Sequence, residues 1–249
     1  MTYEDLTAKC MASLKTLQAK LHENYNIDSY ENWWYDQHTG LFTFSEGQEQ
    51  ELNFRYVDVG TFSEKSNTWM WSWHNQSILA KARKPSEVLK EYGEVHGFEK
   101  LTAGVFESDE YDAWEFAAIA LNFIGGIGIY RPVTDKLKHF FIFQELIPNE
   151  EAQALKDKYV GCNAHEKGRL AFVCQHLITK TKVGFNEAFY TYEGMDLEED
   201  DDFQAWCNAC EKVWETQGGW NGKSMEFANS KIVCETCYFD IKEFNLGVR

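Results

Sequence analysis

Thr68-Trp69-Met70-Trp71-Ser72-Trp73-His74-Asn75 is the stretch that decides the fold of the first part of this chain. Its three tryptophans alternate with Met70 and Ser72, and a period of two puts them on one face of a β-strand. Each indole brings on the order of 200 Å² of surface to hide. The stripe therefore reads first as the core face of a sheet. The preceding segments agree. Residues 33–35, 40–45 and 51–61 are short aromatic or apolar runs, and Phe42 and Phe44 alternate about Thr43. Gly60 and residues 63–67 supply a hairpin turn into the tryptophan strand. Four such strands with no helical pattern between them argue for an antiparallel sheet.

Helical patterns flank that meander. Leu6, Cys10, Leu14, Leu17 and Leu21 recur at spacings of three and four, which predicts a helix over 3–24. Pro85-Ser86 opens a second helix that runs to His96 and stops at Gly97. A third covers 108–124, with Ser108 as N-cap, acidic residues at its positive end and Gly125-Gly126 beyond it. Residues 127–131 and 139–146 read as a hairpin around Thr134-Asp135. The fold expected for residues 1–148 is α+β, an antiparallel sheet with helices covering one face. A linking helix follows over 149–159, and residues 160–249 form a separate small module.

That module is defined by its ligands. Six of the seven cysteines lie between 162 and 237. They fall as Cys162-x-x-His165, Cys174-x-His176, Cys207-x-x-Cys210 and Cys234-x-x-Cys237. A C-x-x-C turn folds two thiolates toward one point, and two such turns complete a tetrahedron around Zn²⁺. Eight donors make two sets of four, so two structural zinc ions are expected. The spacing favours one Cys₄ site from Cys207, Cys210, Cys234 and Cys237. Cys162, His165, Cys174 and His176 then form a Cys₂His₂ site. An interleaved arrangement, in which the two ions exchange pairs, satisfies the same spacing. Scattered buried cysteines are usually apolar filler, and a lone histidine is seldom a ligand, but chance does not produce such pairing. His176 is the weakest member, since it could be a core histidine bonded to backbone. Cys10, on the first helix, reads as a small buried hydrophobe.

A site closed by four protein ligands leaves no position for substrate, so these zincs would contribute folding energy rather than chemistry. A Cys174/His176 nucleophilic dyad is the rival reading, but neighbours two apart rarely align thiol and imidazole unaided. The aromatic domain offers a second possible site. Trp34, Asp36, Trp71, His74 and Asn75 would line a pocket or interface if the tryptophans were not all spent on the core. Neither G-x-S-x-G, a P-loop nor H-E-x-x-H is present.

Charge narrows the partners. The formal charge is −16, shared as −10 over residues 1–150 (13 basic, 23 acidic) and −6 over 151–249 (11 basic, 17 acidic). Neither part offers the positive field that nucleic-acid phosphates or an anionic membrane require. Seven acids in the ten residues 193–202 read as a solvated loop. The opening Met1-Thr2-Tyr3-Glu4-Asp5 lacks the basic-then-apolar run of a secretory signal, and no stretch approaches roughly 20 apolar residues. The expected compartment is the cytoplasm, which suits paired cysteines used for metal rather than disulfides.

The tryptophan strand, then Glu91-Tyr92-Gly93 and Asp112-Ala113-Trp114-Glu115, resemble a bacterial family of unknown function with a T-W-x-W-x-W-x-N strand and a helical A-W-E segment. The likeness covers about residues 1–147. Residues 172–177, Trp206-Cys207-Asn208-Ala209-Cys210-Glu211 and Gly218-Gly219-Trp220-Asn221 look like a second uncharacterised bacterial Cys-rich domain. Neither resemblance brings catalytic residues. By type, such acidic proteins resemble immunity and accessory proteins of bacterial competition loci. The function expected is a non-enzymatic protein-binding or accessory protein with a basic protein partner, immunity-like toward a toxin in its sharpest form. A zinc-dependent or pocket-based hydrolase is the alternative.

Overall fold

The computed structural model describes residues 1–47, 51–134, 136–195, 197 and 201–248. Asp135 and four residues of the acidic run (196 and 198–200) lie outside the described residues. The chain divides into two compact units, Met1–Gln153 and Ala154–Arg249.

The first unit opens with helix α1 (Tyr3–Tyr25), capped by Thr2 in a reciprocal arrangement with Asp5. Strands β1 (Asn32–Asp36), β2 (Leu41–Ser45), β3 (Glu51–Ser63) and β4 (Thr68–Trp71) follow as an antiparallel meander. Helices α2 (Ala80–Arg83), α3 (Glu87–His96) and α4 (Glu99–Thr102) lead to strand β5 (Val105–Glu107), which pairs with β4. The tryptophan strand is therefore not an edge, a point the sequence reading missed because β5 is only three residues long. Helix α5 (Glu110–Ile124) comes next. Its N-cap is Asp109, whose carboxylate accepts from the Asp112 N–H at 2.8 Å; the expected cap, Ser108, bonds the Asp109 carbonyl instead. Strands β6 (Gly128–Tyr130), β7 (Val133–Thr134) and β8 (Leu137–Ile147) complete the sheet.

The thirteen residues of β3 organise this sheet. Its first part pairs with β2 and its last part with β4, while β8 runs along its other side from Ser63 to Asn53. The ladder slips between Arg55 and Tyr56 and between Asp58 and Gly60, where β3 changes partner. Gly60 is needed there. A Cβ on it would lie 2.4 Å from the Trp69 ring and 2.6 Å from the Met70 carbonyl oxygen.

Alternation sends the two faces of the sheet into separate cores. Val57, Val59, Trp69, Trp71, Phe140 and Ile142 pack under α1 and α5. The opposite face buries Phe42, Phe44, Phe54, Tyr56, Phe141 and Phe143. Rings on β2 touch Tyr130 on β6, with centroids 4.9 and 5.2 Å apart, although β3 and β8 lie between those strands. The sheet must curl for that contact to form, so its second face closes on itself instead of meeting water.

Helix α6 (Asn149–Asp157) spans the junction of the two units. In the second unit, β9 (Tyr159–Cys162) and β10 (Glu166–Val173) form a hairpin. Strands β11 (Asn186–Glu187) and β12 (Phe203–Trp206), helices α7 (Asn208–Gln217) and α8 (Gly222–Ala228), strand β13 (Lys231–Cys234) and helix α9 (Glu235–Leu246) follow. β10 is central, with β12 parallel on one side and β13 antiparallel on the other. Ala171, Val173, Phe203 and Ala205 pack with Tyr238 and Phe239 of α9. Buried Lys242 holds the Glu187 carboxylate at 3.0 Å and bonds the Thr191 carbonyl, which ties the segment after β11 to α9. Tyr238 and Phe185 are buried in this core, whereas Trp220 is exposed.

Candidate metal centres

Two clusters of Cys and His assemble in the second unit, one from Cys162, His165, Cys234 and Cys237 and one from Cys174, His176, Cys207 and Cys210. In each, the donor atoms lie within 4.8 Å of one another. All eight residues read as ligands from the sequence are gathered, but the favoured pairing is corrected. Cys207/Cys210 and Cys234/Cys237 do not share a Cys₄ site. Each pair joins a Cys–His pair from the ends of β10, giving two Cys₃His sets, which is the interleaved alternative.

The local folding of each pair is legible. Cys162 ends β9 and His165 precedes β10, so both stand on a tight hairpin turn. Glu166, the next residue, has φ +62°, the left-handed conformation that brings the chain around. Cys174 follows the last residue of β10, and a short 3₁₀ turn over Gln175–Leu177 carries His176. The C-x-x-C pairs are helix starts. Cys207 is the N-cap of α7 and Cys234 the N-cap of α9. Their sulfurs accept the N–H groups of Cys210 and Cys237, each at 3.5 Å. A cysteine sulfur thus takes the place of the usual Ser or Asp cap oxygen.

The geometry fits a tetrahedral ion. Bonds of about 2.3 Å to sulfur and 2.0–2.1 Å to nitrogen require S···S edges of about 3.8 Å and S···N edges of about 3.6 Å. In the first cluster the Cys162 and Cys237 sulfurs are 3.7 Å apart. His165 Nδ1 lies 3.8, 3.5 and 3.3 Å from the sulfurs of Cys162, Cys234 and Cys237. In the second, His176 Nδ1 is 3.3 Å from the Cys210 sulfur, and Cys174 Sγ accepts the Cys207 N–H at 3.3 Å.

Electrostatics points the same way. Burial, then the neighbouring sulfurs, push the Cys237 thiol up to about 12. The same causes raise Cys210, and burial raises Cys174. Cys162 is held down at about 6, first by the N–H groups of Ala164 and His165 at its turn. Three crowded sulfurs resist becoming thiolates together, and a bound cation reverses that balance.

Further residues support the clusters. His165 Nε2 lies 3.5 Å from the Asp240 carboxylate, the kind of contact that fixes the tautomer and basicity of a ligating imidazole. Asp240 follows Cys237 by three residues on α9, so helix periodicity could have flagged it. A Cβ on Gly168 would sit 3.2 Å from that of Cys234, so a side chain there would crowd the first cluster. The Phe227 ring packs against His176 at 4.9 Å. The two centres differ in exposure. Cys174, Cys207 and Cys210 are buried, while Cys162, His165 and Cys237 are half-buried.

The remaining expected site residues stand elsewhere. Trp71 has no exposed surface, and its indole N–H donates to the Lys100 carbonyl at 2.9 Å, so it is a core side chain. Trp69 is equally buried. Trp34 is exposed on β1, and Asp36 accepts the His38 N–H at 2.9 Å. His74 packs against Gly104, where a Cβ would come within 2.2 Å of its ring, and Asn75 closes a turn by accepting the Ser77 N–H. Cys10 is buried and free, as expected. Among the described residues, no helix is long and apolar enough to cross a membrane.

Among curated proteins and solved structures, none matches the chain. One family model does, over residues 4–146, more than half of the 249. By that match the chain belongs to DUF6882, a family of unknown function.

Proposed function

We propose that this chain is a non-enzymatic binding protein whose second unit is built around two structural Zn²⁺ ions. The observation that carries the reading is the closure of both clusters by four protein donors, three sulfurs and one imidazole each. Such soft sets suit zinc, and four protein ligands leave no open position for water or substrate. The metal then acts on folding: it pins the ends of β10 to the starts of α7 and α9.

The partner is a protein, and the charge of −16 favours a basic one. Acidic surfaces speed encounter with basic partners and reject acidic ones. An immunity-like role, in which the chain covers a basic toxin, is the sharpest form of this reading. Elemental analysis of the purified protein should return two zincs per chain. Calorimetric titration with a basic toxin encoded beside its gene should give a binding isotherm that weakens as salt rises. One zinc or none, or an ion with a coordinated water, would overturn the structural-zinc reading. Absence of salt-sensitive binding would overturn the basic partner.

A further inference from the structure

The second unit has a cavity that its fold leaves lined with aromatic rings. On β10, β12 and β13, alternate residues enter the core beneath α9. Their neighbours Phe172, Gln204, Trp206 and Ile232 face the other way, and Phe172 is paired across the strands with both Gln204 and Ile232. A sheet with one face already packed normally turns polar residues outward. Here three of those four are large and apolar. Trp220 and Met225 rise beside them and leave a cavity of about 520 Å³. Ile232, Trp220 and Met225 are 56%, 41% and 62% exposed.

We propose that this cavity binds a small, flat, uncharged aromatic molecule carrying a hydrogen-bonding edge. Its volume lies in the range of ligand pockets, roughly 300–1,000 Å³. Its floor is small, with Ala205, Ala228 and the buried Cys174, so the space between the rings runs down to the core. Its walls are π-surfaces. Trp206 and Trp220 meet edge to face at 5.2 Å, and the Trp206 indole is fixed by donating its N–H to the Glu211 carboxylate. Among the described residues, no charged side chain lines the cavity, so an ionic ligand would lose its hydration without a counter-charge. The polar groups that do line it, the Gln204 amide and the Ser230 hydroxyl, can donate and accept. The inference stands apart from the zinc reading, because a different metal would leave this cavity in place.

The test uses the full, metal-loaded chain and three neutral probes: indole, quinoline and naphthalene-2-carboxamide. Binding is followed through the tryptophan indole N–H signals in ¹H–¹⁵N spectra. Saturable shifts at Trp206 and Trp220, but not at Trp69 or Trp71, are expected. Trp220→Ala, at an exposed position and checked for fold and metal content, should weaken binding at least about fivefold, the scale of one lost ring stack. Indole-3-acetate should bind more weakly than the neutral probes. The proposal is overturned if no probe saturates at concentrations on the order of 1 mM, or if Trp220→Ala binds as well as the parent. It is also overturned if sedimentation reveals a dimer that Trp220→Ala dissolves, since a second copy would then fill the cavity. Shielding of Trp220 from acrylamide in the free monomer would likewise show the chain covering the cavity itself.

Discussion

Crossed pairing of the ligands makes a prediction that the sequential pairing reverses. With clusters Cys162/His165/Cys234/Cys237 and Cys174/His176/Cys207/Cys210, the double variant Cys174→Ala with Cys207→Ala damages one centre. Cys207→Ala with Cys234→Ala damages both. The first should keep one zinc per chain and the second none; a Cys₄ site plus a Cys₂His₂ site would give the opposite counts. Bulk metal spectroscopy is blind to the difference, because either scheme averages three sulfurs and one nitrogen per ion. The energies are large. The second unit spans residues 154–249, and at roughly 0.05–0.15 kcal/mol per residue its stability is about 5–14 kcal/mol. A structural zinc contributes about 10–16 kcal/mol in small metal-folded peptides. Loss of either ion therefore removes as much as the whole unit possesses, and a strong chelator should melt this unit while the aromatic cores of residues 1–153 persist. Native mass spectrometry of the two double variants in excess zinc gives the counts. Should both variants fail to fold, ¹¹³Cd NMR of the parent decides. Crossed pairing predicts two resonances of similar, S₃N-type shift, and two widely separated resonances would refute the reasoning.

Three more perturbations test the first unit and the hairpin turn. Asp58 is buried, and desolvation pushes its carboxyl up to about 7, with the Ser72 hydroxyl donating at 2.6 Å as the opposing influence. The folded state then holds a proton that the unfolded chain loses near pH 4, so stability falls as pH rises from about 4 through 7, by about 4 kcal/mol. Asp58→Asn should abolish that slope in urea titrations of this unit at pH 5 and pH 8; an unchanged slope means another group titrates. Gly60→Ala should destabilise the first unit by about 3 kcal/mol, because the new methyl meets the Trp69 ring and a backbone oxygen; an unaltered urea midpoint would show that β3 can shift. Glu166→Gly should raise the melting temperature of the second unit, by relief of about 1 kcal/mol from the left-handed conformation at φ +62°; a lower melting temperature would mean the Glu166 side chain makes a compensating contact.

Much of the first unit was legible because its signals are local. The stripe from Leu6 to Leu21 marks α1, and alternation about Met70 marks β4 and buries Trp69 and Trp71 on one face; β4 ends at Trp71, so Ser72 and Trp73, expected on the same strand, stand in the turn beyond it. What escaped was decided over longer distances. β5 has three residues and gains its identity only by pairing with β4. The curl of the sheet arises from the partner change along β3 and the rings that gather behind it, and no window of sequence contains both. The Ser108 cap was misplaced by one residue because Ser108 and Asp109 are both good cap residues, and only the backbone decides which carboxylate or hydroxyl meets the Asp112 N–H.

For the metal centres the division is sharper. Residue chemistry named all eight donors, since thiol and imidazole pairs at these spacings point two ligands at one place. Spacing says nothing of which place. That choice belongs to β10, which separates Cys162/His165 from Cys174/His176 by the length of a strand, and to the sheet order that brings the start of α9 to one end and the start of α7 to the other. A strand is stiff and extended, so two pairs at its opposite ends cannot share an ion, and each must find its partners on a helix that follows much later in the chain.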